Sequence, residues 1–308
     1  MCRPLADVLN VCLTVVREHI LDVDGRGVFG VAVHKSLIFF IQCECHWIKV
    51  YKASSVTGYN FLGRIKVPGM TNPTDLLVFD GCLYVPDDMT SRTRNSGDHC
   101  VWKIQLSRAM TPGSPPEEYS MKMLTSLGSW WPLSLSRTTD GRRIIITATT
   151  KRVYFWNPKA RNGIDIDVVA LPPEVPCTQH VIELPSSMYL LCHPHRVCRL
   201  VREDNRMKLV ESPPVASSTE TPDVDENYLN NPRHLAQLPD GKILVVDHLH
   251  NRVLLMAQDL NSYTELLGIK NGGKKRPCRI VYDKDSGLLA VAFHHHVGLY
   301  SLRVGAPA

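Results

Sequence analysis

Residues 231–256 read NPRHLAQLPDGKILVVDHLHNRVLLM. A proline precedes a strand-sized apolar run, Asp240-Gly241 marks a tight turn, a second apolar run ends in Asp247, and Asn251-Arg252 leads into a third. Short apolar runs separated by such turn residues predict an antiparallel meander. With Pro232 as phase zero, Asp-Gly falls at phases eight and nine and Arg-Val at twenty and twenty-one. Pro132 starts the same pattern, with Asp140-Gly141 and Arg152-Val153 at those phases. From Pro176 the turn slips to Ser186-Ser187, and Arg196-Val197 returns at twenty and twenty-one.

Fainter copies begin at Val28, Pro73 and Pro277, so the starts are 28, 73, 132, 176, 232 and 277. Each unit carries a further apolar segment, seen as NFLGRI, MKMLTSLG, IDVVAL, MKLVES and YTELLG, except the last, which runs out at Ala308. Four short strands per repeat at this period are the pattern of a propeller blade. The expected fold is all-β: a six-bladed β-propeller of four-stranded antiparallel blades. Residues 17–23, REHILDV, are expected to supply the missing strand and close the ring, hiding an edge open to aggregation. Residues 1–16 are read as a lead, a short helix or disordered, and 17–308 as the propeller. Insertions are expected at 87–99, a long polar loop, at 107–119, and at 211–231, the last a mobile, acidic surface loop rich in Pro, Ser and Thr.

Composition fits a folded chain with a sizeable core, at 44% hydrophobic and 21% charged residues over 308 positions. The net charge of +5 is a modest excess, which favours nucleic acid only if gathered on one face. Ten cysteines lack paired C-x-x-C spacing, and the chain shows no convincing signal peptide. Reduced, buried thiols in a cytoplasmic protein are therefore expected. No apolar run approaches the roughly 20 residues that span a bilayer, so no membrane partner is expected.

The proline start, the Asp-Gly turn, Val245-Val246-Asp247 and Asn251-Arg252-Val253 resemble the NHL-repeat family. The fifth unit matches closely, the third and fourth partly, the others mainly in pattern. The resemblance implies a six-bladed propeller, often the C-terminal interaction domain of tripartite-motif ubiquitin ligases, which binds RNA or proteins. The residues ahead of the first unit leave no room for a RING or B-box zinc pattern, so a stand-alone or truncated propeller without ligase chemistry is implied.

In such propellers the loops between second and third strands share one face with the loops joining blades. Candidate partner-binding residues on that top face are Arg92, Arg94, Trp131, Arg233, His234, His248, Lys274, Lys275, Arg276 and Arg279. Arginine and lysine there suit phosphates, and Trp130 or Trp131 suits base stacking. Asp223, Asp225 and Glu226 on the same face oppose that charge. Arg152, Arg196 and Arg252 recur at one position, which points to holding a turn, and the tryptophans are as well explained by packing between blades. His193, His195, His248, His250 and His294 to His296 also gather in top-face turns. Three converging imidazoles hold zinc, but a wide ring keeps repeated turns apart. No nucleophile elbow or triad is present, and the Gly-rich NGGKK at 271–275 leads to a strand, where a phosphate loop needs a helix.

The expected function is a non-catalytic recognition module, a monomer without cofactor or metal, binding a protein, or alternatively RNA, through its top face. The alternatives are a metal-dependent propeller hydrolase or lyase and a structural scaffold.

Overall fold

A computed structural model describes residues 13–22, 26–54, 58–88, 99–124, 132–160, 165–175, 178–185, 188–193, 196–211, 229–260, 262–268 and 276–304. The first unit holds β1 (Leu13–Asp22), which belongs elsewhere, and then β2 (Val28–His34), β3 (Leu37–Gln42), β4 (Trp47–Ser54) and β5 (Gly58–Lys66). The second holds β6 (Leu77–Phe79), β7 (Cys82–Asp87), β8 (Cys100–Gln105) and β9 (Ser120–Met123). Next come β10 (Pro132–Arg137), β11 (Ile144–Ala148), β12 (Arg152–Trp156) and β13 (Ile166–Ala170), then β14 (Val181–Glu183), β15 (Met188–His193), β16 (Arg196–Glu203) and β17 (Arg206–Glu211). The fifth unit is β18 (Pro232–Gln237), β19 (Ile243–Asp247), β20 (Arg252–Met256) and β21 (Tyr263–Gly268), and the last is β22 (Pro277–Asp283), β23 (Leu288–Phe293) and β24 (His296–Val304).

These strands form four sheets of four and one of eight. The eight-stranded sheet differs from the separate sheets that the repeat predicts. Its two central strands β13 and β17, each the fourth strand of its unit, run parallel and meet at a single pair, Ala170 with Arg206, and the backbone N–H of Ala170 donates to Asn205 O at 3.0 Å. The first strands β2, β6, β10, β14, β18 and β22 neighbour one another in that order, and β22 returns against β2.

Side-chain alternation explains why the middle strands read as unbroken apolar runs. In β19, Ile243 and Val245 face a core shared with Ile182, Leu190 and Val197 of the unit before. Leu244 and Val246 face one shared with Ile280, Leu289 and Val291 of the unit after. A strand buried on both faces cannot alternate apolar with polar. The same sharing recurs at every junction, between first and second units around Phe39 and Trp102, and between last and first around Phe40 and Val297.

The Asp-Gly turns carry out what the dipeptide predicts. Gly241 takes φ +85° and Gly141 φ +65°, in the region where a side chain is strained, while the aspartate before each accepts from the backbone N–H one residue past the glycine, at 3.1 and 2.9 Å. The insertion expected at 107–119 is folded. Helices α1 (Leu106–Ala109) and α2 (Pro116–Tyr119) place Leu106 and Tyr119 in the core, and the Tyr119 hydroxyl donates to Lys66 O at 3.0 Å. Cys45, Cys82, Cys100, Cys198 and Cys278 are buried free thiols. Among the described residues no helix is long and apolar enough to cross a membrane.

The strand predicted at 17–23 runs over Leu13–Asp22, so Leu13 to Val16 belong to it and not to the lead; residues 1–12 lie outside the described residues. It pairs antiparallel with β24, from Leu13 opposite Val304 to Asp22 opposite His296, and Leu21 is buried in the core between last and first units. Removing residues 1–22 bares the edge of β24 and opens that core. The truncated chain is expected to associate at concentrations where the full chain does not, measured by light scattering. Unchanged mass and unfolding midpoint would show that β1 contributes nothing to closure.

Candidate functional site: the axial end where the units begin

The end of the ring at which the first strands start is built by one repeated backbone contact. In four units a residue one or two past the second strand donates to the loop that precedes its unit: Cys43 to Gly27 O at 2.8 Å, Asp88 to Asn72 O at 3.0 Å, Leu249 to Asn230 O at 3.0 Å and His294 to Arg276 O at 3.0 Å. A strand-end aspartate completes the contact in two units. Asp247, fully buried, accepts from Asn230 N at 2.7 Å, and its other oxygen accepts from Arg252 Nε at 2.8 Å and lies 2.9 Å from His250 Nδ1. Asp87 accepts from Asn72 N at 2.7 Å and from Trp102 Nε1 at 3.0 Å. Arg252 therefore holds a turn, as its recurrence suggests, and Arg196 reaches Glu174 O at 3.3 Å in the loop before its own unit.

Just past the start of four units the chain bulges, and in three of them one side chain turns inward. Register shifts fall between Val28 and Gly30, Pro132 and Ser134, Pro232 and His234, and Pro277 and Arg279. A bulge re-aims a side chain, and three of these bulges aim Ser134, His234 and Arg279 at one place, while Gly30 at the fourth has none. Asp75 occupies the matching position after Pro73, and His180 precedes β14. The six positions are buried, with Asp75 2%, Ser134 0% and His180 2% exposed. Gly30 is required by close approach, since a Cβ there would lie 2.8 Å from the Asp75 carbonyl carbon and from Ile41.

Asp75 is the centre of this cluster. One carboxylate oxygen lies 3.2 Å from Arg279 Nε and accepts from Leu76 N at 2.9 Å; the other accepts from Ser134 Oγ at 2.5 Å and Leu135 N at 2.8 Å. Arg279 donates onward to Thr74 O at 2.9 Å and Leu133 O at 3.1 Å, so three units are tied through one ion pair. The His234 ring stacks on His180 with centroids 3.7 Å apart, its Nε2 3.7 Å from Asp75. His180 Nδ1 accepts from Leu235 N at 3.2 Å, which leaves Nε2 to carry the proton, 3.4 Å from Leu135 O.

Burial alone would raise the Asp75 carboxyl, but Arg279 and His234 outweigh it and hold it far below the usual carboxylate range. Burial, and then the neighbouring His234, push His180 well down; burial also lowers His234, against the pull of Asp75. Both imidazoles are thus neutral at pH 7. Serine, histidine and aspartate meet here in the wrong order for a nucleophile. Ser134 gives its proton to the carboxylate instead of to an imidazole, and it is fully buried.

The predicted partner-binding residues divide. Arg92, Arg94, Trp131, Lys274 and Lys275 lie outside the described residues, as do Trp130, His195 and the acidic positions 223, 225 and 226. Arg276 is exposed and Arg233 half-buried beside Cys278. His248 is buried, its Nδ1 2.8 Å from Pro277 O. His234 and Arg279 belong to the axial cluster and not to an exposed rim. Asp75, Ser134 and His180 were not among the sequence candidates. Aligning the repeats two residues past the start finds Asp75, Ser134, His234 and Arg279, but misses His180, which lies four past Pro176. Among the described residues no group of three or more His, Cys, Asp or Glu is placed to hold a metal ion; His294 and His295 are exposed while His296 stacks on Phe293.

No family model and no curated protein matches the chain. Among solved structures, a streptogramin B lyase aligns over 93% of this chain and 98% of its own, with TM-score 0.61 at 12% identity. The WD40 β-propeller domain of Doa1 aligns over 94% of this chain and 97% of its own, with TM-score 0.57 at 9% identity. The fold is a β-propeller. A catalytically inactive histidine-to-alanine variant of virginiamycin B lyase from Staphylococcus aureus, solved with quinupristin, superposes on the propeller over 93% of this chain and 99% of its own, with TM-score 0.59 at 11% identity. At these identities the lyases and the WD40 domain bear on the propeller's architecture alone.

Proposed function

We propose that the chain is a non-catalytic recognition module, an NHL-like propeller of six blades that binds a protein partner through the end where its blades begin. The count takes the eight-stranded sheet as two blades touching at one residue pair. The observation that carries the functional reading is the pairing of Asp75 with Arg279 and Ser134 inside the axial cluster. Asp75, Arg279 and Ser134 direct their polar atoms at one another and at blade backbone, which holds the ring and leaves recognition to the surrounding loops. The reading takes the protein to act as a cytoplasmic monomer. A protein partner is favoured over RNA because the charge excess is small and the acidic stretch 211–231 belongs to the same end in sequence.

Arg279 is unsuitable as a probe, because a glutamate there would face Asp75 and break the ring. Arg276 is exposed and suitable. Arg276→Glu combined with Lys275→Glu is expected to reduce capture of the wild-type partners from lysate at least tenfold while leaving the far-ultraviolet circular dichroism of the folded chain unchanged. Equal capture by both proteins would remove this end as the binding surface. Capture abolished by nuclease treatment of the lysate would replace the protein reading with RNA.

A further inference from the structure

Beside the axial cluster, at the junction of the fifth and last blades, lies a second group of polar side chains with a different balance. The Cys278 thiol lies 3.5 Å from Arg276 O and 3.9 Å from His248 Nδ1. The Arg276 carbonyl also accepts from His294 N at 3.0 Å. Arg233 lies within electrostatic reach of Cys278 and Arg276. Backbone and side-chain contacts thus gather Arg233, His248, Arg276, Cys278 and His294 at one place.

The Arg233 Nε is buried and makes no hydrogen bond among the described residues. Among the described residues, the charged or ionisable groups that act on its guanidinium are Cys278, Arg279 and Arg276, with no carboxylate among them. Burial keeps the Cys278 thiol protonated, so it supplies no counter-charge. Arg279 is already matched by Asp75. The surrounding imidazoles respond to the same excess. Burial first, and then Arg233, Arg276 and His294, push His248 down to about 4 against its bond to Pro277. Burial, His295, Arg233 and Arg276 lower His294.

A half-buried guanidinium without a counter-ion is costly, and a folded protein retains one where something else provides the charge. We propose that Arg233 and Arg276, flanked by His248 and His294, form a receptor for one terminal oxyanion, the phosphoryl or carboxylate end of a side chain on the peptide partner. The inference rests on the reading of this end as the recognition surface and names what it recognises there. A terminal group is specified because Arg233 is recessed. A phosphomonoester or carboxylate projects free oxygens into such a recess, whereas a phosphodiester carries a sugar on either side. The planar guanidinium fork of Arg233 suits two oxygens at once.

The full chain and its Arg233→Met variant provide the test, since methionine keeps the unbranched apolar stem and removes the charge. Without added oxyanion, Arg233→Met is expected to unfold at a higher temperature than the wild type, because an unpaired buried cation has gone. A lower midpoint means that the chain itself supplies the counter-ion, and overturns the inference. Titration calorimetry with inorganic phosphate, and separately with succinate at matched ionic strength, is expected to show saturable binding at least tenfold weaker in the variant. The tighter of the two probes identifies the phosphoryl or the carboxylate source. Equal response of both proteins to both probes reports general salting effects only and overturns the site. Tighter binding of oligouridylate than of phosphate, lost in the variant, transfers the site to RNA and overturns the peptide assignment. These readouts need no partner, so a failed anion site leaves the partner-capture result to be judged separately.

Discussion

Urea unfolding of Asp75→Ala is expected to show a loss of about 3–5 kcal/mol, the range for breaking a buried ion pair by removing one member. Asp75 is 2% exposed and Arg279 8%, so water cannot replace the lost carboxylate. The substitution also orphans Ser134 Oγ and the Leu135 N–H, donors that lie in a different blade. Asp75→Asn, which retains an acceptor but no charge, is expected to fall between the two. Arg279→Leu added to Asp75→Ala should restore part of the stability, because the stranded guanidinium goes too. An Asp75→Ala midpoint within about 0.5 kcal/mol of wild type would mean that the axis does not hold the blades together.

Acid is expected to weaken the fold in two stages. His180 and His234 are neutral in the folded protein, their affinity for protons lowered by burial. In the unfolded chain they titrate near the ordinary value of about 6.5. Below that pH the unfolded state binds protons that the folded state does not, so stability falls with falling pH. The slope contributed by each imidazole reaches about 1.4 kcal/mol per pH unit until its folded value is passed. Asp75 adds a second stage. Its carboxyl is held down in the folded state, so its contribution is complete above the unfolded value of about 3.9 and is lost as pH falls below it. Urea midpoints measured from pH 7.5 to 4.5 should therefore decline below about 6.5, and His180→Gln should flatten the decline by one proton's slope. A constant midpoint over that range would contradict the neutral, buried imidazole pair.

The fold was legible in the sequence because repetition displays each local rule several times. The Asp-Gly turns of 140–141 and 240–241 read the same way twice, and the unbroken apolar run 243–246 stated its two-sided burial. The contact between β13 and β17 was not legible, since a single parallel pair between outer strands leaves no mark on composition or spacing. The anchors of the insertion at 107–119 were not legible for a related reason. Leu106 and Tyr119, with Ala109 packed beside them, order a stretch that is otherwise mostly polar or turn-forming. At the axis, charge was read by loop position, which places Arg279 on a rim. Its partner Asp75 lies some two hundred residues away in the chain, and only ring closure brings the two together. Asp75, the residue with the largest expected effect, stood unremarked as an aspartate next to a threonine.

The pairing of β1 with β24 sets Leu13 opposite Val304, so the two ends of the described chain lie side by side on the perimeter. A short linker between them would give a circle with no preferred starting point. New termini opened at 240–241 or 140–141 would then yield permuted chains in which β1 and β24 form a hairpin, and the latch between distant segments moves to the pair β18–β19 or β10–β11.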